Sequence, residues 1–190
     1  MKRIVIFASG SGTNAENLIQ FFNKKKEVSV VQVLTNNPHA KVISRCNNLK
    51  ISCLSFNRTA FYVENHVLDI LKIINPDVIV LAGFLWKFPE SILKEFPNKV
   101  INVHPALLPK YGGKGMYGMH VHEAVVANHE KETGITIHYV NEQYDEGAII
   151  FQTSCPVGKD DTAKDIAEKI HKLEMEHFPR VVESFLFPNE

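Results

Sequence analysis

Asp77-Val78-Ile79-Val80-Leu81-Ala82 is apolar at every position after its first residue. A strand sends alternate side chains to opposite faces, so this segment predicts a strand covered on both sides. That is the condition of a parallel sheet lying between two helical layers. The sequence upstream keeps the same rhythm. Ala60–Ile74 has apolar residues at Val63, Val67, Ile70, Leu71 and Ile74, a helical spacing, and Asn75-Pro76 stops it because proline disfavours a helical residue before it. Ile51–Leu54 reads as a short strand, Lys41–Asn48 as a helix and Val28–Leu34 as a strand. Asn14–Lys25 reads as a helix through Leu18, Ile19 and Phe22, and Arg3–Ala8 as the first strand. Alternating strands and helices predict an α/β fold with a doubly wound sheet.

Downstream the rhythm changes. Lys99–Val103 is a strand cut off by Pro105, and Lys110–Gly118 is a glycine-rich loop. His122–Asn128 reads as a helix. Gly134–Tyr139 and Ala148–Gln152 are strands joined by the polar turn Asn141–Gly147, close enough in sequence to pair antiparallel. Asp160-Asp161-Thr162 offers helix caps. The last helix then runs to about Leu186, with Pro179 expected to kink or interrupt it. The expectation is a Rossmann-like sheet, parallel in its N-terminal half with an antiparallel addition in its C-terminal half, forming one domain over residues 1–190.

Twenty-one Lys and Arg balance twenty-one Asp and Glu in 190 residues. A nucleic-acid partner would usually call for a basic excess. No window holds the ~20 apolar residues of a membrane span. The charged Met1-Lys2-Arg3 and the apolar run after it turn into Ser9-Gly10 too soon for a secretory signal. The cysteines Cys46, Cys53 and Cys155 lack CxxC spacing and read as reduced structural thiols. A cytoplasmic protein is expected.

The first strand leads directly into Ser9-Gly10-Ser11-Gly12-Thr13-Asn14 and a helix. Free amides at a helix N-terminus, with its positive dipole end, favour an anion. The amides of Gly12, Thr13 and Asn14 are therefore a candidate phosphate site. No Gly-Lys-Ser/Thr follows, which excludes a Walker A loop. Gly10-x-Gly12-x-x-Ala15 fits a loose dinucleotide form, but the second strand ends Leu34-Thr35-Asn36-Asn37 without the carboxylate that would hold a ribose. A phosphate monoester fits better. A plain tight turn is the structural alternative.

Val100-Ile101-Asn102-Val103-His104-Pro105 puts Asn102 and His104 on one face of a strand and Ile101 and Val103 on the other. A carboxamide and an imidazole thus stand side by side at the carboxyl end of a strand, where open α/β sheets bind ligands. Acyl-type transfer to an amine needs such a pair. An amide N–H stabilises the tetrahedral oxyanion, and an imidazole donates to it or carries a proton. No G-x-S-x-G nucleophile elbow occurs. A satisfied structural pair is the alternative. In Glu142-Gln143-Tyr144-Asp145-Glu146-Gly147 a carboxylate is placed to orient His104 and raise its pKa above about 6.5. Spacing does not choose among Glu142, Asp145 and Glu146, and a solvated turn is the commoner fate of such residues.

Four stretches now fall in order: Ser9–Asn14, Leu81-Ala82-Gly83-Phe84, Asn102 to Tyr111 (Asn-Val-His-Pro-Ala-Leu-Leu-Pro-Lys-Tyr), and Tyr144-Asp145-Glu146-Gly147. Together they resemble the phosphoribosylglycinamide formyltransferases, folate-dependent enzymes of purine synthesis. The resemblance covers nearly the whole chain. It implies the formyltransferase fold and transfer of the formyl group of 10-formyltetrahydrofolate, a cosubstrate, to the amine of N1-(5-phosphoribosyl)glycinamide without a metal. It implies that Asn102 binds the formyl group, His104 is the acid/base and Asp145 tunes it. It also implies that Gly12, Thr13 and Asn14 hold the acceptor phosphate, and that Glu174 grips its ribosylglycinamide part. Leu85, Trp86, Lys87 and Phe88 match the segment lining the folate pocket. Arg58 matches a folate-contacting arginine, though its spacing to Pro76 differs by a couple of residues from the family pattern.

The loop Gly112–Gly118 is longer than the family pattern. His171 stands where a phosphate-binding Lys can occur, with Lys172 beside it. His120-x-His122-Glu123 lacks a clear third metal ligand, and substrate contact or surface exposure is the simpler reading. The expected partners are the two small molecules, with the chain a monomer or homodimer and no nucleic acid or membrane. Methionyl-tRNA formyltransferase would add a basic nucleic-acid-binding domain. Formyltetrahydrofolate hydrolase would carry a regulatory domain ahead of the first strand. A non-catalytic nucleotide-binding module would not need Asn102, His104 and Asp145 together.

Overall fold

The computed structural model describes residues 1–188. Its elements are β1 (Lys2–Phe7), α1 (Thr13–Phe22), β2 (Val28–Thr35), α2 (Lys41–Leu49), β3 (Cys53–Ser55), α3 (Arg58–Tyr62), α4 (His66–Ile74), β4 (Val78–Leu81), α5 (Glu90–Glu95), β5 (Val100–His104), α6 (Met119–Ala127), β6 (Glu132–Tyr139), β7 (Ile149–Pro156) and α7 (Ala163–Leu186). Seven strands form one sheet in the order β3-β2-β1-β4-β5-β6-β7. The first five run parallel, and β6 runs against both β5 and β7.

β4 is buried at all four of its positions, as its unbroken apolar run requires. Val78 and Val80 face a core shared with α1, α2 and α7, whereas Ile79 and Leu81 face a second core under α3, α4 and α5. The second core is largely aromatic. Phe7 lies within 5.1–6.1 Å of Phe56, Phe61, Phe84 and Phe88, ring centroid to centroid. The strand order reverses between β1 and β4, and the crevice outside their carboxyl ends is where such sheets take ligands.

Three local features depart from expectation. The segment expected as one helix over Ala60–Ile74 is two helices, broken where Asn65 takes φ 55°. Phe61 and Val67 are both buried. Six residues apart on a continuous helix, they would point about 120° from each other at 100° per residue, and the break lets both turn inward. Val63, read as a core position, is 72% exposed instead. The short helix α5 was not anticipated. It follows Pro89 and buries Ile92.

The third feature is at Pro179, where a kink or an interruption was expected and α7 runs on without interruption. Proline cannot donate to the carbonyl four residues earlier, that of Met175. Asn17 on α1 supplies the missing donor, its Nδ2 lying 2.9 Å from the Met175 oxygen. The helix begins as its caps suggested, with a reciprocal box between Thr162 and Asp165. Among the described residues no helix is long and apolar enough to cross a membrane.

β6 and β7 pair with an irregularity. Ile137 opposes Phe151 but His138 opposes Ile149, so Ile150 is an extra residue on β7. On its other side, His138 opposes Asn102 of β5.

Candidate active site

A cavity of about 750 Å³ opens at the carboxyl ends of β1, β4 and β5. Its wall includes Gly12, Thr13 and Asn14 from the first turn, Asn102 and His104 from β5, Asp145 from the β6–β7 turn, and Glu174 from α7. Residues far apart in sequence are thus brought to one surface.

The glycine turn is shaped by close packing. Gly12 takes φ +73° as the residue preceding α1, with no side-chain cap over the helix amides. A Cβ at Gly12 would lie 2.5 Å from Val42 of α2, so both conformation and space require glycine. Arg45 of α2 holds the turn from outside, its Nε donating to the Ser11 carbonyl at 2.8 Å. Asn14 turns its Nδ2 to Glu174 Oε2 at 2.9 Å. His171 lies 3.9 Å from the same carboxylate, and this neighbouring negative group raises the His171 pKa. His171 lines the cavity, and Lys172 does not.

At the end of β5, His104 is 4% exposed. Its Nε2 donates to the Tyr111 carbonyl at 2.7 Å, and its Nδ1 lies 3.6 Å from Asp145 Oδ2. The β6–β7 turn leaves the sheet next to the start of β5, where the Val140 amide donates to Val100. Asp145 therefore reaches His104 by folding back over the sheet face. Its backbone has φ +57°, and its Oδ2 accepts from the Gly113 amide at 2.9 Å. Gly147 permits the return, because a Cβ there would sit 1.7 Å from the Tyr139 carbonyl.

The residue missed in the sequence is His138. Its Nδ1 donates to the Tyr139 carbonyl at 2.8 Å, so in the neutral ring Nε2 is an acceptor. Asn102 Nδ2 donates to that Nε2 at 3.1 Å. The carboxamide is thereby oriented, with one N–H remaining for another acceptor. Asp145 Oδ1 lies 3.6 Å from His138 Nε2, so one carboxylate stands between two imidazoles. The available signal was the alternation Thr136-x-His138 on a strand beside Asn102, but it needed the β5–β6 register to be read.

The electrostatics correct one expectation. Asp145 was expected to raise the pKa of His104. Burial instead pulls it below the ordinary histidine value, and Asp145 and the Tyr111 carbonyl restore only part of the loss. For Asp145 burial pushes upward, but the adjacent His138 and His104 rings and the hydrogen bond from the Gly113 amide together hold it below the usual carboxylate range. The resting arrangement is a neutral imidazole beside a carboxylate.

Arg58, Leu85, Trp86 and Lys87 line an adjoining cavity of about 380 Å³ with Tyr62 and Tyr144. The Arg58 guanidinium lies over the Trp86 ring at 4.7 Å. Phe88 does not join them. It is 4% exposed and packs 5.1 Å from Phe7, because the first residue to turn inward after the exposed loop fills the aromatic core. His120 and His122 also separate, His120 outward beside Glu123 at 3.5 Å and His122 buried at 5% exposure. Among the described residues no group of three or more metal-type ligands forms.

The family model described as formyl transferase matches residues 2–182. The Bacillus subtilis phosphoribosylglycinamide formyltransferase is 33% identical over 193 residues, covering 98% of this chain and 95% of that protein. The chain belongs to the phosphoribosylglycinamide formyltransferase family. Another relative, from Vigna unguiculata and named as chloroplastic, is 34% identical, and the alignment covers 96% of this chain and 60% of that one. The crystal structure of the Bacillus halodurans phosphoribosylglycinamide formyltransferase superposes with a TM-score of 0.88 at 33% identity, covering all of this chain and 97% of the other. Membership in the family accounts for the mixed seven-stranded sheet, parallel first and antiparallel at its far edge.

Proposed function

We propose that the chain transfers the formyl group of 10-formyltetrahydrofolate to the primary amine of N1-(5-phosphoribosyl)glycinamide, in purine synthesis. The carrying observation is that one cavity joins a helix-terminal anion turn to an oriented carboxamide and a His–Asp pair. The acceptor phosphate occupies the amides of Gly12, Thr13 and Asn14. Glu174 takes the ribosylglycinamide portion. The folate enters from the side of Arg58, Leu85, Trp86 and Lys87, with Phe88 supporting that wall from the core.

The amine attacks the formyl carbon in its neutral form. The formyl oxygen gains negative charge, and the free N–H of Asn102 and the imidazole of His104 stabilise it. Asp145 favours the protonated state of His104 as that charge develops, and aids removal of the proton from the attacking nitrogen. That proton passes to the departing folate nitrogen, and the tetrahedral intermediate collapses with breakage of its carbon–nitrogen bond, leaving the formamide product and tetrahydrofolate.

The test follows folate product by absorbance with and without glycinamide ribonucleotide. Product only with the acceptor is the expected result. Product formed equally without it would make water the acceptor, and no product in either condition would overturn the assignment.

A further inference from the structure

His122 is a buried histidine for which the mechanism above has no task. It lies on α6, packed toward α7, and lines the large cavity near Glu174 and His104. Its Nδ1 is sealed from solvent and has no hydrogen-bond partner. Among the described residues its Nε2 has no hydrogen-bond partner, and unlike Nδ1 it is not sealed from solvent, so this nitrogen is the edge that meets the cavity.

Burial keeps the ring neutral, lowering its pKa by more than nearby Glu174 restores. A neutral imidazole carries one N–H. On Nδ1 that hydrogen would be a buried donor without an acceptor, and orphaned buried N–H groups are rarer than under-used acceptors. The hydrogen therefore belongs on Nε2. The cavity wall thus presents an uncharged donor beside a carboxylate. Glu174 is tied by Asn14 to the glycine turn, and His104 marks the reaction centre. A molecule with its phosphate on the turn and its amine at His104 shares one cavity with His122, whose ring lies near both Glu174 and His104.

We propose that His122 is an acceptor-binding residue whose Nε2–H donates to an uncharged oxygen of the ribosylglycinamide, between its phosphate and its amine. The inference rests on the formyl-transfer reading and adds a recognition contact to it. A neutral donor suits this position because it selects an oxygen acceptor without competing with the anion turn for the phosphate.

The experiment compares wild type, His122→Phe and His122→Gln in the full chain. It measures KM for glycinamide ribonucleotide and for the formyl donor, with calorimetric binding of glycinamide ribonucleotide alone. Loss of one net hydrogen bond predicts about a tenfold rise in acceptor KM and Kd for His122→Phe. The donor KM stays unchanged and kcat stays within about threefold, the pattern of lost uniform binding. The glutamine amide can reach the Nε2 position, so His122→Gln recovers most of the affinity. An unchanged acceptor Kd in His122→Phe overturns the inference. So does equal loss in both variants, or an equal rise in donor KM. A wild type that binds the acceptor without formylating it overturns the functional reading while the calorimetric comparison still decides His122. A wild type that does not bind it overturns both.

Discussion

The imidazole of His104 gives its Nε2 hydrogen to the Tyr111 carbonyl at 2.7 Å, leaving Nδ1 to face Asp145 at 3.6 Å. Both nitrogens therefore look at acceptors. A charged imidazolium would satisfy both, while burial favours the neutral ring. The resting ring is neutral, and an oxyanion forming nearby would tip it toward the charged form.

Asp145→Asn keeps an oxygen for the Gly113 amide but removes the charge. Turnover should fall by ~10²–10⁴, the usual range for acid–base assistance, while KM for glycinamide ribonucleotide changes little. Steady-state kinetics check this, and wild-type turnover in the variant would falsify the role of Asp145.

Gly147→Ala attacks the same carboxylate from its supporting turn. The added methyl would collide with the Tyr139 carbonyl, so the turn must shift and carry Asp145 with it. A displacement near 1 Å can cost about 10² in rate. A variant that folds and turns over normally would show that the turn does not fix the carboxylate.

Gly12→Ala combines a disfavoured positive φ with the approach of Val42. A residue held in that region costs about 1–3 kcal/mol, so the denaturant midpoint should drop. Affinity for glycinamide ribonucleotide should weaken with it, since the amides around Gly12 must move. Unaltered stability and binding would mean that the turn relaxes without loss.

Stability should also depend on pH through the two buried histidines. His104 and His122 both titrate below their unfolded value of about 6.5. The unfolded chain then binds more protons in mild acid, so their contribution is fully present above pH 6.5 and is lost as pH falls through the folded values. His171 has the opposite sign, its contribution being lost as pH rises through its raised pKa, but it is more exposed and counts for less. Urea midpoints from pH 7.5 to 5 should decline in wild type and decline less in His122→Phe. Parallel slopes would count against a neutral buried His122.

The contact between Asn17 and Met175 can be isolated by a double-mutant cycle. Asn17→Ala leaves the Met175 carbonyl without a donor and should cost about 1–2 kcal/mol. In a Pro179→Ala background the helix supplies its own N–H, so the same change should cost less. Equal costs in the two backgrounds would show that Asn17 is not acting on the proline gap.

The sequence was most legible where one periodicity served one purpose. The Val78–Ala82 run and the Asn102-x-His104 alternation carry their burial and facing in local pattern. The helix break at Asn65 was hidden because Val63 fits a helical stripe that the folded chain does not use. His138 was hidden for a different reason: its role comes from a neighbour on another strand, and register is not a local property. Asp145 was reachable only through the family resemblance, since a turn that folds back across a sheet leaves no mark in spacing. The burial of Phe88 was not legible because an aromatic residue after a strand end serves a pocket wall and a core equally well until the packing is known.

The extra residue at Ile150 gives the edge of the sheet a property beyond pairing. A regular antiparallel ribbon can creep by two residues and keep every side chain on its proper face. A bulge next to His138 makes that creep costly, because the surplus residue would have to travel with it. β6 carries His138 and leads into the turn bearing Asp145, so it works as a ratchet pawl. It holds the imidazole and the carboxylate at one fixed offset from Asn102 and His104, and the strand cannot slip without disengaging all four side chains at once.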